Sequence, residues 1–190
     1  MNLQGTWTEG YVLEQQHTLS SEFVGHDSFG NPQYDTKRSA LGELIYRLKY
    51  QNDKSVLDSI TETAALFIRN WFPDFDQIVP MPPSQIRYYQ PVMEIARNIG
   101  SRLSKPVSMT AVIKTTNTQP LKNVFDYQER ITLLTGAFQV DTDAVFEKRI
   151  LLIDDLYRSG ATATVVAQEL LTGGAEAVYL LAITKTRTRT

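Results

Sequence analysis

The stretch Ile150-Leu151-Leu152-Ile153-Asp154-Asp155-Leu156-Tyr157-Arg158-Ser159-Gly160-Ala161-Thr162 decides how this chain is read. Four consecutive apolar residues fit a strand buried on both faces of a sheet. Two adjacent acids follow at its carboxyl end, then a short loop with hydroxyls and one glycine, then a helix beginning near Thr162. In an open α/β sheet, ligands bind in the crevice beyond the carboxyl ends of the strands. Paired carboxylates suit the vicinal hydroxyls of a ribose or a magnesium ion. A loop at a helix N-terminus suits a phosphate held by backbone N–H groups and hydroxyls. A sugar diol beside a phosphate describes a phosphorylated ribose. The bland alternative is a buried strand that ends in two solvated acids before a helix cap.

The rest of the composition sets bounds on that reading. At 190 residues one domain is expected, with enough chain to bury a core. With 19 basic and 21 acidic residues the net charge is −2, so no global field recruits nucleic acid. An anionic substrate must be held by local groups. There are no cysteines, which excludes disulfides and thiolate metal sites. The first residues lack a basic segment followed by an apolar run, so no secretory signal is expected. No apolar run approaches the roughly 18 residues of a membrane-spanning helix. A cytoplasmic protein is the expectation.

Residues 1–35 read as a β and turn appendage, or hood, with short strands at 10–14 and 19–24 and turn chemistry over 26–32. Residues 36–184 form the α/β core, and 185–190 a frayed tail. Within the core, Leu41, Leu44, Ile45 and Leu48 mark a first helix, and 55–70 a second that Pro73 ends. A strand at 75–81, a helix over 91–103, a strand at 107–113, a helical segment near 127–134 and a strand at 137–142 follow. The signature strand, its helix, the Gly173-Gly174 stop and a strand at 177–183 complete the order. Alternating strands and helices from residue 75 onward predict a parallel sheet with right-handed crossovers.

Two further segments belong beside the signature. Pro80-Met81-Pro82-Pro83-Ser84-Gln85-Ile86-Arg87-Tyr88-Tyr89-Gln90-Pro91 is a proline-stiffened loop after a strand, placed where a pyrophosphate could rest. Residues 114–130 form a long polar segment with Lys114, Lys122 and Arg130, in the manner of a lid. His17 and His26 read as surface residues, Trp7 and Trp71 as core or interface packing, Tyr50 as packing and Lys49 as a helix-surface lysine.

The 150–162 run resembles the phosphoribosyl-pyrophosphate signature of type I phosphoribosyltransferases: apolar residues, two acids, a spacer, then Thr/Ser-Gly-x-Thr/Ser. A narrower resemblance is to the ComF-type branch. It is carried by Ile45-Tyr46-Arg47-Leu48-Lys49-Tyr50, Val79-Pro80-Met81-Pro82-Pro83-Ser84, Arg87-Tyr88-Tyr89-Gln90, Thr118, Gln119, Leu121, Arg130 and Gly136-Ala137-Phe138. The chain departs from that branch in lacking an N-terminal cysteine zinc module, in Tyr88 for the usual glycine, in Pro91 directly after Gln90, and in Ser159 for the commoner threonine.

The resemblance implies a type I phosphoribosyltransferase-like α/β fold, with a mostly parallel twisted sheet flanked by helices and a small N-terminal β-rich hood. It implies transfer of the phosphoribosyl group from phosphoribosyl pyrophosphate to a base or amine, with pyrophosphate released. Asp154 and Asp155 would hold the ribose diol and, with Arg130 and Lys114, act in catalysis. Tyr157, Arg158, Ser159, Gly160, Ala161 and Thr162 would bind the 5′-phosphate. Pro82, Pro83, Ser84 and Arg87 would line the pyrophosphate side. Magnesium would arrive with the substrate, Asp154 and Asp155 being the candidate contacts, and no site built from direct protein ligands is expected. A homodimer is a candidate assembly. The rival reading is a phosphoribosyl pyrophosphate- or nucleotide-binding module without turnover, a sensor or a DNA-uptake adaptor. Nucleic-acid binding through Lys185, Arg187 and Arg189 is a weaker third, opposed by the net charge.

Overall fold

The computed structural model describes residues 1–71, 73–83, 88–116, 124 and 126–186. In chain order the elements are β1 (Glu9–Glu14), β2 (Thr18–His26), β3 (Pro32–Arg38), α1 (Ala40–Tyr50), a 3₁₀ turn (Lys54–Val56), α2 (Leu57–Trp71) and β4 (Gln77–Pro80). Then come α3 (Pro91–Leu103), β5 (Val112–Lys114), α4 (Tyr127–Leu134), β6 (Phe138–Val140), α5 (Thr142–Val145), β7 (Arg149–Tyr157), α6 (Ala161–Thr172) and β8 (Ala177–Lys185).

The central sheet has the order β1-β8-β7-β4, with every pair parallel. Ile150, Leu151, Leu152 and Ile153 are wholly buried, as a strand covered on both faces requires. Each such side chain contributes roughly 1.5–3 kcal/mol of burial. Arg149 fixes the start of β7 against the segment before β4: its backbone N–H and its guanidinium both donate to Asp76. That arginine holds the Asp76 carboxyl at about 2, well below the usual carboxylate range. The helices follow their sequence signals. Ser39 caps α1 by accepting from the Gly42 N–H, and Asp126 caps α4 by accepting from the Glu129 N–H. Pro91 opens α3.

Three expectations need correction. Residues 1–35 do not form one appendage. Val12 is buried in β1, which is an edge strand of the central sheet, and Leu3 and Trp7 pack in the core beneath it. The Trp7 indole N–H donates to the Leu3 carbonyl at 2.7 Å. Only the hairpin β2–β3 projects, turned by Asp27, whose carboxylate accepts from the N–H groups of Phe29 and Asn31. An edge strand with one hydrogen-bonded neighbour alternates buried and half-buried positions, so it looks the same in sequence as a hairpin strand.

The strand expected at 107–113 is divided. Val107 makes a single parallel bridge to Ile78, and β5 pairs antiparallel with β6 in a separate two-stranded ribbon. The strand expected at 177–183 reaches further, and residues 187–190 of the expected tail lie outside the described residues. β8 runs to Lys185, and Thr184 is fully buried. Among the described residues, no helix is long and apolar enough to cross a membrane.

Candidate functional site

β4 ends at Pro80, which stands in register with Ile153, while β7 continues four residues further beside β8. The Met81 N–H donates to the Ile153 carbonyl at 2.8 Å. The proline loop after β4 and the acids of β7 therefore leave the same carboxyl edge of the sheet. Pro82 is buried and Pro83 half-buried. Ser84 and Arg87 lie outside the described residues, so their expected part on the pyrophosphate side stands as an expectation.

The loop over 157–162 is built around Gly160. Its φ of 83° is left-handed, and a Cβ there would lie 2.1 Å from the Tyr157 hydroxyl oxygen. Gly160 is the N-cap of α6, and no side chain caps that helix; the Ser159 hydroxyl accepts only a long bond, 3.4 Å, from the Ala161 N–H. An uncapped helix start presents backbone N–H donors and the positive end of the helix dipole. Ala161 is buried, Thr162 half-buried and Arg158 exposed. Tyr157 is buried edge-to-face against Trp7. Burial, with lesser effects from Tyr127 and Asp154, pushes its phenol up to about 12, so it stays a neutral donor.

The two acids, expected as equivalent solvent-facing carboxylates, differ sharply. Successive side chains of a strand leave in opposite directions. Asp155 is buried, and both its carboxylate oxygens accept from the Lys49 ammonium, at 2.8 and 3.1 Å. Its backbone carbonyl accepts from the Thr184 hydroxyl, whose oxygen lies 3.0 Å from His17 Nδ1. With the Thr184 proton committed to Asp155, His17 Nδ1 must be the donor in that contact. Burial holds His17 below its usual range, with Arg38 and Lys49 acting in the same direction. Among the described residues Asp154 accepts from backbone N–H groups, those of Leu156, at 3.4 Å, and Asp155. Burial first, and the neighbouring Asp155 second, raise its carboxyl to about 7. Lys49 and His17, expected on the surface, are thus parts of the site. Lys49 stands 106 residues from Asp155, and no local spacing announces such a pair.

The pairing also changes what neutralising the acids should do. Asp155→Asn leaves a half-buried ammonium without its counter-charge, and we expect a loss of about 1–3 kcal/mol. A thermal melt at pH 7 checks this. An unchanged melting temperature would mean that Lys49 escapes to solvent at no cost.

Arg130, expected to act in catalysis with Lys114, donates through its guanidinium to Ser159 Oγ at 2.8 Å and to the Val124 carbonyl at 2.6 Å. One helical turn earlier, the Tyr127 hydroxyl meets Thr164 Oγ1 at 2.9 Å. Two side chains spaced i, i+3 on α4 therefore touch the entry to α6, at Ser159 in the loop before it and at Thr164 in its first turn. Lys114 ends β5, half-buried opposite Phe138, and burial pulls its ammonium down. Thr118, Gln119, Leu121 and Lys122 lie outside the described residues. Among the described residues, no group of three or more His, Asp or Glu side chains could hold a metal ion.

Among solved structures, the fold aligns with the following three proteins. Glutamine phosphoribosylpyrophosphate amidotransferase from B. subtilis, complexed with ADP and GMP, matches over 82% of this chain and 34% of its own, with 16% identity and a TM-score of 0.53. Adenine phosphoribosyltransferase from Saccharomyces cerevisiae matches over 88% and 84%, with 12% identity and a TM-score of 0.50. The fold is that of the type I phosphoribosyltransferases. An allosteric regulatory enzyme of purine biosynthesis matches over 82% of this chain and 34% of its own, with 17% identity and a TM-score of 0.50. The chain spans about a third of the length of the two larger proteins. No protein-family model and no curated protein sequence matches it.

Proposed function

We propose that this protein binds phosphoribosyl pyrophosphate at the carboxyl edge of β7 and transfers its phosphoribosyl group to a base or amine. The observation that carries this reading is the uncapped start of α6 behind the left-handed Gly160, next to the carboxyl of Asp154. The 5′-phosphate would take the N–H groups of the first turn of α6 and the hydroxyls of Ser159 and Thr162. Arg130, already bonded to Ser159, would turn its guanidinium to the same phosphate.

In such a transfer the bond from C1 of the ribose to pyrophosphate breaks as a bond from C1 to the incoming nitrogen forms. The transition state is oxocarbenium-like, so positioning and electrostatics dominate over covalent chemistry. Asp154 would orient the diol and favour the developing positive charge. The proline loop would lie on the pyrophosphate side, with Pro82 and Pro83 as its rigid wall. The residues present fit magnesium only as a partner of the substrate: Asp154 has open acceptor capacity, whereas Lys49 occupies Asp155. Bound there, the ion would neutralise pyrophosphate charge while keeping several waters. The ComF-type likeness supports this reading in one respect, since two of its landmarks, Lys49 and Arg130, touch the acid and the phosphate loop.

A second reading, binding without turnover, draws on the segment before α3. Pro91 starts that helix directly after Gln90, and Tyr88 is fully exposed there. Calorimetry with phosphoribosyl pyrophosphate and with ribose 5-phosphate, in millimolar magnesium, tests the shared part, and saturable heat is expected for both. No heat with either, from folded protein, overturns both readings. Pyrophosphate release across a panel of bases and amines then separates them.

A further inference from the structure

We propose that Lys49 is a positioning residue of this site: it holds Asp155 and cancels its charge, so that a phosphorylated sugar meets one open carboxyl, Asp154, instead of two. The inference rests on the functional reading above and adds to it how the acid pair is set.

Two elements bond Asp155 directly, and the link between β1 and β2 braces both of them. The last turn of α1 brings Lys49, whose ammonium spans both carboxylate oxygens. β8 brings Thr184, wholly buried, to the Asp155 carbonyl. The link between β1 and β2 brings His17, which supports Thr184 and whose backbone N–H donates to the Lys185 carbonyl at 2.7 Å. The start of α1 is tied to the same link, because the Ser39 N–H donates to the His17 carbonyl. Gly42 lies so close to that carbonyl that a Cβ would stand 2.2 Å from it. α1 is thus pressed onto the root of the site with no room for a side chain between, and Lys49 projects from its far end.

This bracing fixes Asp155 in direction as well as in charge. Buried and with the ammonium across both its oxygens, Asp155 presents little of its carboxylate to a diol, whereas among the described residues Asp154 accepts from backbone N–H groups and lies half-buried. Charge gives the second reason. Two adjacent carboxylates beside a phosphate loop repel the anion that the loop is shaped to take. A lysine on one of them lowers that repulsion while leaving the other to read the hydroxyls. A lone ammonium on a helix end would be solvated and mobile, but the side chain here is only 21% exposed and its partner 12%.

The test uses the full chain as wild type, Lys49→Met, Lys49→Arg, Asp155→Asn and the double variant Lys49→Met/Asp155→Asn. Calorimetry measures affinity for ribose 5-phosphate and 2-deoxyribose 5-phosphate in millimolar magnesium. The wild type is expected to prefer the ribose form. Lys49→Met should bind ribose 5-phosphate at least about tenfold more weakly, with the ribose-over-deoxyribose ratio falling toward one. Lys49→Arg should restore both to within about threefold. The double variant should bind no more weakly than Asp155→Asn alone, because one interaction is removed in both. A purely structural lysine would lower the melting temperature and leave the sugar preference intact.

Binding by the wild type with affinity and preference unchanged in folded Lys49→Met overturns the proposal and leaves the functional reading standing. Failure of the wild type to bind either sugar phosphate overturns both. If Lys49→Met does not fold, the double variant leaves no charge unpaired and decides instead. Affinity and preference within about threefold of the wild type in that protein support the proposal, because no second carboxylate is left to cancel, and their loss overturns it.

Discussion

Asp154→Asn is expected to abolish ligand binding and, in the same protein, to raise stability above about pH 6. Burial first, and Asp155 second, hold the wild-type carboxyl at about 7 in the folded chain, well above the usual carboxylate range. Below about pH 4 both folded and unfolded states hold the proton, and the group has no effect on stability. Between about 4 and 7 the unfolded chain has released its proton and the folded chain retains it, so stability falls as pH rises. Above about 7 the full penalty is present. Asparagine resembles the protonated carboxyl at every pH and removes that penalty. The expected gain is about 1–3 kcal/mol at pH 8, or roughly 3–9 °C for a chain of this size, shrinking to nothing near pH 4. Melting curves of both proteins across pH 4–8 check this. A gain that does not depend on pH would mean that the carboxyl is not held neutral by its surroundings. A residue that weakens the fold so that the site can work is a recognised compromise of stability and function.

The second large effect is expected at Gly160. Gly160→Val places a β-branched residue at a left-handed φ, at a cost of about 1–3 kcal/mol. It also drives a methine carbon onto the Tyr157 hydroxyl. That phenol cannot simply swing away, because Tyr157 is buried against Trp7 with ring centroids 6.4 Å apart. The loop must open, and the N–H groups of α6 then no longer converge on a phosphate. Affinity for ribose 5-phosphate should fall below detection, while the far-ultraviolet circular dichroism of the folded sheet persists. Ser159→Ala removes one hydroxyl and the anchor of Arg130, and should weaken binding only about 10–150-fold, the equivalent of 1.5–3 kcal/mol for one bond to a charged group. A ranking in which serine matters more than glycine would remove the backbone cradle from the description of this loop.

The reach of the sequence follows from how local each feature is. Ile150–Ile153 could be read as a central strand because burial on both faces leaves its mark residue by residue. The helices at 91–103 and 127–134 could be read because spacing and caps lie within a few residues of each other. The loop 157–162 could be read because acids, hydroxyls and glycine are adjacent in the chain. β1 could be seen as a strand, but its membership of the main sheet depends on Tyr179 and Leu180, far away in sequence. The same holds for Lys49 with Asp155 and for His17 with Thr184. The pairing β5–β6 escaped because each strand has three residues, too few for a period to emerge. Arg130 stands out in the sequence as a cation in a polar segment, but only the packing of α4 against α6 decides that it meets Ser159.

The edge strand β1 has a further consequence, for the order in which the chain is made. Its strand partner is β8, Glu9 standing opposite Tyr179, while Asn2 makes a single antiparallel bridge to Tyr11 on its other side. On a ribosome adding about 5–20 residues each second, Leu3, Trp7 and Val12 emerge on the order of ten seconds or more before the strand that covers them exists. During that interval the most apolar part of the opening segment has no sheet to join, and closing so long a loop is slow. Leu3, Trp7 and Val12 therefore stay uncovered until β8 is made, and β8 acts as the lock that ends their exposure.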